Sequence, residues 1–428
     1  MSNQEIIRRR QFCQITKEIS GSTQYLVVGI DVGKDNHHAF MGSVTGSSLY
    51  RKLIFENNLD GFGRLIESSD QIKTQYGLSK IVFGLEPTGN YHKPLARHLM
   101  RCDRNVVLVT GQAVKNNRQL LDGRWDKNDT KDAANVADLV SRARCLYYDS
   151  PAPSITELRE LLSLRRRLKR EEHSLRMRIR NNLLAQYFPE MDSFYSACES
   201  ESLAIVRCFL NPHTISAMPF SEFFHLVTKT RRGTAQTLRL RKIHQLAAES
   251  VGCPMGVAAE YEAELLVEKL HQVRDQIQKT ADLIEDFCLK SAEYSYLLTI
   301  PGFGPYISAR VLASIGDPLR FDNRKQVIRL AGYDLNANRS GKTSDTAVPV
   351  ISKKGNAELR YALYQAAKVA SSRVEYFRTY FAKMLCGRQR ERGIITKMRV
   401  KLAAKMLVIA WTLMKRKAPF DPAHLNID

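Results

Sequence analysis

No stretch of this chain is apolar for the roughly 18 residues that a membrane-spanning helix needs, and that excludes a bilayer-embedded protein. The first residues, MSNQEIIRRRQFCQ, lack the apolar core of a secretory signal. Paired cysteine motifs are missing too. Cys13, Cys102, Cys145, Cys198, Cys208, Cys253, Cys288 and Cys386 stand singly, with no Cys-x-x-Cys and no histidine at finger spacing. A zinc finger and a disulfide framework are thereby excluded, and reduced thiols of a cytoplasmic protein are expected. Acidic residues are the scarce charge: 44 Asp and Glu face 65 Lys and Arg, for a net charge of +21 and a pI near 9.7. Such an excess over 428 residues implies a polyanionic partner, nucleic acid before all others, because each neutralised phosphate releases counterions. An anionic membrane fits less well, since the basic residues are spread over the whole chain. A hydrophobic content of 44% supports a core, and the length suits two or three domains.

Few as they are, four acids are placed where a metal-dependent nuclease needs them. Asp31 follows an apolar run at 25–30 (VVGIDVGKDNH), and Glu86 closes another at 80–85 (IVFGLEPTGNY). Asp129 and Asp132, in DKNDTKDAANVADL, are one helical turn apart, so both carboxylates point the same way. Taken singly, each is an ordinary turn, cap or solvated-face residue. Together, two strand-borne acids and a helical pair can converge on one or two divalent cations, which align a nucleophile and neutralise phosphoryl charge. Mg²⁺ suits an all-oxygen donor set. The order β-Asp, β-Glu, helical Asp-x-x-Asp is that of the ribonuclease-H-like fold, as in RuvC-like junction resolvases.

Residues 1–22 read as a basic arm. Over 23–150 strands (25–30, 37–41, 49–55, 81–85, 105–110) alternate with helices (59–76, 93–102, 129–144), giving a mixed sheet covered by helices. Pro151 and Pro153 mark a boundary, and Ser154 to Glu157 reads as a capping box. The helix that follows carries Leu158, Leu161, Leu168, Leu175, Ile179 and Leu183 on one side; Arg165, Arg166, Arg167, Lys169 and Arg170 crowd the other. That basic stripe is either a solvated face or a nucleic-acid contact. A second long helix, 257–289, keeps a 3-4 spacing from Leu266 through Phe287. Residues 151–292 are therefore read as a helical coiled-coil stalk with an insert near 191–250, pairing within the chain or between subunits. The last unit, 293–428, is mainly helical. It opens with a Pro-Gly-Phe-Gly-Pro turn before a helix start at Gly302 and Gly304, which is either a helix-hairpin-helix-like turn whose N–H groups hold a phosphate or an ordinary tight turn with Pro at the helix start.

Two regions resemble one family, the DEDD transposases of insertion-sequence family one-ten. Residues 26–138 carry GIDVGK, GLEPTGNYH and KNDTKDA; residues 297–367 carry PGFGP, RSGK and ISKKGNAELR. The chain departs from the family at Asn128, where Thr is usual, and at Gly111, where Pro is more common. The resemblance implies a RuvC-like domain at 23–150 with Asp31, Glu86, Asp129 and Asp132 as metal ligands for Mg²⁺, and a C-terminal transposase domain. It implies that Ser340 is a nucleophile joined covalently to DNA. By their own positions Arg339 and Lys342, flanking that serine, are candidates to hold the scissile phosphate, and Lys353 and Lys354 are further candidate nucleic-acid contacts. It further implies double-stranded DNA partners (element ends and target), a structured non-coding bridge RNA as guide, and a homo-oligomer, a dimer or a dimer of dimers. No membrane is involved, and the setting is the prokaryotic cytoplasm, associated with the nucleoid. The residues alone leave two other readings open. One is a RuvC-like structure-specific endonuclease using metal-activated water; the other is a non-catalytic nucleic-acid-binding protein. Read from its own neighbourhood, Ser340 before Gly341 is an ordinary turn serine.

Overall fold

Three apolar runs, two more polar strands and one short C-terminal strand assemble into a single sheet. In the computed structural model, which describes residues 3–121, 129–148, 151–196, 200–208, 211–228, 233–336 and 350–425, the chain divides into two units, Met1–Ser150 and Pro151–Asp428. The first unit holds β1 (Tyr25–Asp31), β2 (Asn36–Ser43), β3 (Ser48–Glu56), β4 (Lys80–Leu85), β5 (Asn105–Leu108) and β6 (Leu146–Tyr147). Their order across the sheet is β3-β2-β1-β4-β5-β6. β1 to β3 form an antiparallel meander, β4 and β5 run parallel to β1, and β6 returns antiparallel. This mixed order is ribonuclease-H-like.

The centre of the sheet reads as continuous apolar sequence because both of its faces are covered. Leu26, Val28 and Ile30 of β1 join Ile81, Phe83 and Leu85 of β4 in one core. That core is capped by α2 (Leu59–Gln75), through Phe62 and Leu65, and by α3 (His92–Arg101), through Leu95 and Leu99. On the opposite face Tyr25, Val27 and Val82 meet α1 (Asn3–Glu18), α4 (Gly111–Leu121) and α5 (Asp129–Ser141). The segment read as a basic arm is thus helical, with Ile15 and Ile19 only 5% and 0% exposed. Two apolar residues one turn apart are enough to seat a helix that is otherwise polar.

The second unit is helical apart from a two-stranded ribbon. α6 (Pro153–Arg178) continues through a π-helical stretch, Ile179–Leu184, into α7 (Ala185–Tyr187). No capping box forms at Ser154. Ala152 is the N-cap without a side-chain bond, and Pro153 occupies the first turn; its ring presets φ and brings no N–H to be capped. Then come α8 (Ser200–Cys208), α9 (Pro212–Ala217), α10 (Phe220–Val227), α11 (Thr234–Ala248) and the long α12 (Val257–Cys288). α6 and α12 lie antiparallel within the chain: Arg178 bonds Glu262 at 2.8 Å, Arg274 bonds Glu172 at 3.3 Å, and Leu158 and Leu162 share a core with Ile284 and Cys288. The predicted seam of α12 is buried at Leu266, Leu270, Val273, Ile277, Thr280 and Ile284.

This helix pair carries a core at each end. At one end Leu175, Ile179 and Leu183 pack with Ile205, Ile215, Phe223 and Leu240 of the inserted helices. At the other end stand α13 (Ala292–Leu298), α14 (Pro305–Ile315), α15 (Arg324–Leu330), α16 (Ala357–Arg373), α17 (Glu375–Leu385) and α18 (Ile394–Arg416). Between α15 and α16, β7 (Leu335–Asn336) pairs antiparallel with β8 (Val350–Ile351). Cys13, Cys102, Cys145, Cys253, Cys288 and Cys386 are free thiols. Among the described residues no helix is long and apolar enough to cross a membrane.

Candidate active site

Strand register brings the first two acids together. β1 and β4 pair in parallel with Ile30 opposite Leu85, and the ladder runs one step further, the Glu86 N–H donating to the Ile30 carbonyl at 3.3 Å. Asp31 and Glu86 are therefore neighbours across two adjacent strand ends, about 4.8 Å apart along the sheet. Side chains alternate between faces. Ile30 and Leu85 belong to the α2–α3 side, so Asp31 and Glu86 both fall on the side of α4 and α5. Both are half-buried.

Two glycines seat α5 on that same face. A Cβ on Gly29 would lie 2.2 Å from the Ala133 carbonyl oxygen and 2.4 Å from the Ala137 nitrogen, and one on Gly84 would lie 2.5 Å from Val140 Cγ2. Gly29 and Gly84 are partners in the ladder, so they form a shallow trough into which the α5 backbone sinks. Asp132, directly before Ala133, is 2% exposed. Asp129 opens α5, and its side chain lies outside the described residues.

α4 touches both arms of this acid set. At its start, a Cβ on Gly111 would sit 2.9 Å from Glu86 Oε1, so the small residue leaves the carboxylate its room. At its end, Arg118 bonds Asp132: Nε lies 2.9 Å and Nη2 2.6 Å from the same oxygen, Oδ1. Between these points an amide ladder fastens α4 to α5. Asn117 donates to Asn135 Oδ1 at 2.8 Å and to Asp138 Oδ2 at 2.7 Å, and Asn135 donates to the Val114 carbonyl at 2.8 Å. Among the described residues no group of three or more His, Cys, Asp or Glu side chains is close enough to hold a metal. The donor set still fits a hard cation, being all carboxylate, with two members side by side on one sheet face and a third already drawing a positive charge.

The three histidines near the acids have different surroundings. His38 faces Asp31 directly in the β1–β2 ladder, so it stands on the acid side of the sheet. The hairpin register is what would have found it, and the sequence gives that register only through the turn. His37 points the other way, 0% exposed, with its ring 5.1 Å from Phe55 and 6.1 Å from Phe62. Burial holds its imidazole below the usual range. His92 begins α3, and burial lowers its pKa as well.

The basic candidates in the second unit are largely engaged with their own chain. Arg165 stacks over the Tyr306 ring at 4.4 Å, Arg166 pairs with Glu358 at 2.9 Å, and Lys169 pairs with Glu172 at 2.9 Å. Arg167 reaches Ser163 Oγ at 3.4 Å, and Arg170 is exposed. Gly302 has φ +92°, and a Cβ there would lie 2.9 Å from the Ala366 carbonyl. The turn needs this glycine to pack on α16, whatever else it binds. Gly304 faces open space. Lys353 and Lys354 are exposed just after β8, Lys353 at φ 56°. Arg339, Ser340 and Lys342 lie outside the described residues, in the segment between β7 and β8. The base of that segment is well anchored: Ser352 Oγ donates to Asp334 Oδ1 at 2.7 Å, Arg360 Nη1 to the Ala331 carbonyl at 2.8 Å, and Tyr333 Oη to the Arg360 carbonyl at 2.8 Å.

Comparison with known proteins assigns these two regions together. A DEDD transposase family model matches residues 28–189, and a model for the transposase IS116/IS110/IS902 family matches residues 294–382. The chain belongs to the IS110 family of DEDD transposases. It is a DNA transposase, an enzyme of recombination. The first matched segment of this transposase contains all four acids, and the second contains the Pro-Gly-Phe-Gly-Pro turn, Ser340, Lys353 and Lys354. Among its relatives is the insertion element IS116 44.8 kDa protein of Streptomyces clavuligerus, 23% identical over 401 residues, covering 92% of this chain and 96% of the relative. The transposase for insertion sequence element IS1328 of Yersinia enterocolitica is 23% identical over 402 residues, covering 92% and 98%. The pilin gene-inverting protein of Moraxella bovis is 30% identical over 153 residues, covering 35% and 44%.

Proposed function

We propose that this transposase cuts and rejoins DNA at specific sites, using Asp31, Glu86, Asp129 and Asp132 to hold Mg²⁺ and Ser340 as the attacking nucleophile. The observation that carries the acid centre is the in-register pairing of Asp31 with Glu86 on the sheet face where α5 is seated. Bound Mg²⁺ supplies charge neutralisation at the scissile phosphate and lowers the barrier to displacement there. The chain's own part is to fix the carboxylates before substrate arrives: two on strand ends, two on a helix sunk into a glycine trough. Ser340 Oγ forms a bond to phosphorus as the phosphodiester bond to the departing strand breaks; the serine gives up its proton and the departing strand's oxygen takes one up, leaving a free hydroxyl end. The hydroxyl end so released, or that of another strand, attacks the phosphoserine and restores Ser340. Energy is conserved in the covalent link, so no nucleotide cofactor is consumed.

Two DNA sites must be held at once, which calls for an oligomer, a dimer or a dimer of dimers. The α6–α12 pair is read as the coiled-coil stalk of the RuvC-like family architecture. A structured bridge RNA that pairs with both DNAs would supply sequence, leaving the protein to read backbone and shape; the net charge of +21 supports a large nucleic-acid load. Exposed Arg170, Lys353 and Lys354, with Arg339 and Lys342, are the proposed phosphate contacts.

The test is a recombination assay on paired element-end and target DNA, with RNA recovered from the native host. Asp31→Asn and Ser340→Ala should each lower recombination by about a thousandfold while the folded protein still binds DNA. Recombination at the normal rate by Ser340→Ala would contradict the nucleophile. Cleavage retained by Ser340→Ala without joining would favour a nuclease that uses water.

A further inference from the structure

The contact between Arg118 and Asp132 has the geometry of a stand-in for a metal ion. Asp132 is held 4% exposed at its side chain, where an unpaired carboxylate would be costly. Both guanidinium bonds land on Oδ1, from Nε at 2.9 Å and Nη2 at 2.6 Å. Arg118 itself is 29% exposed and stands on the last turn of α4, so its side chain has somewhere to go. The Asn117–Asn135 and Asn117–Asp138 bonds fasten α4 to α5 one residue earlier, and they keep the two helices together if the arginine lets go.

We propose that Arg118 is a positioning residue that acts as a place-holder cation, neutralising Asp132 in the metal-free protein and giving up Oδ1 when a divalent cation binds. The inference rests on the acid-site reading above. Its physical content is competition. Arg118 and the metal are both cations seeking one buried carboxylate, so the arginine weakens metal binding and neutralises Asp132 when no metal is bound. The cost to the metal is a bond broken and a like charge nearby, and in return the metal-free fold escapes a buried naked carboxylate.

The experiment measures Mn²⁺ affinity of the full-length chain by electron paramagnetic resonance, without DNA. Arg118→Gln should bind Mn²⁺ about tenfold more tightly than the parent, and Arg118→Lys, which keeps the charge, should stay close to the parent. Equal or weaker binding by Arg118→Gln would overturn the proposal, because a purely structural ion pair gives that result. If Arg118→Gln does not fold, the parent chain answers alone. Its Arg118 Nε–H, identified as the ¹⁵N signal missing from Arg118→Lys, should be protected from solvent exchange without metal and lose that protection at saturating Mg²⁺. Protection unchanged by Mg²⁺ would overturn the place-holder role. Mn²⁺ affinity unaltered by both Asp31→Asn and Glu86→Gln would instead overturn the acid-site reading itself.

Discussion

The sheet unit and the helical unit hold their proposed functional residues by different means. In Met1–Ser150 the positions follow from register: Asp31 beside Glu86, His38 across from Asp31, and α5 set into the trough at Gly29 and Gly84. Moving any of these requires breaking the ladder, which is a large-scale event. In Pro151–Asp428 the segment that carries the proposed Ser340, 337–349, lies between two short strands whose base is held by side-chain bonds from Ser352, Tyr333 and Arg360 and by backbone bonds of Ser352 and Lys353. A metal site needs several ligands fixed to within a fraction of an ångström before the substrate comes. A serine nucleophile needs one oxygen delivered to one phosphorus.

Substitution of glycine tests the contrast most severely. Gly29→Val drives a side chain into the α5 backbone and should destabilise the protein by roughly 3 kcal/mol, with recombination lost if Asp132 on α5 is a metal ligand as proposed. Gly304→Ala, in the open turn of the helical unit, should change stability by no more than about 0.5 kcal/mol. Chemical denaturation of the two variants measures both values. A Gly29→Val protein as stable as the parent would mean that α5 is not seated on the sheet as described.

A smaller effect comes from the other side of the sheet. His37 has a lowered pKa in the folded state, chiefly through burial, so the unfolded chain takes up its proton first. Stability should therefore fall as pH drops below the ordinary histidine value of 6.5, and be fully present above it. His37→Leu should remove part of that dependence between pH 7.5 and 5.5. An unchanged slope would assign the dependence to other groups, His92 among them.

Much of the α/β unit was legible because buried central strands write themselves as apolar runs. The runs ending at Asp31 and Glu86 are β1 and β4, and the Asp129 helix is α5. Helix α4 is not legible: Gly111 to Leu121 is mostly polar, with Ala113, Val114, Leu120 and Leu121 its only apolar residues. It is held by amide bonds to α5 that only the fold creates. The same holds for Arg118 and His38, whose partners are distant in sequence or set by hairpin register. Helix α1 was missed because only Ile15 and Ile19 anchor a polar segment. The capping box at Ser154 failed because Pro153 had already started the helix. Ser340 shows the opposite limit, since nothing in its immediate neighbours separates it from a turn residue, and only the family resemblance singles it out.

The most direct measurement is to trap the protein–DNA adduct. The protein is combined with Mg²⁺, element-end DNA and the RNA recovered from its native host, then denatured, digested and read by mass spectrometry. The account predicts a phosphodiester link on Ser340 that is absent from Ser340→Ala and from Asp31→Asn. An adduct on another residue, or recombination that proceeds with no adduct at any time point, would contradict it.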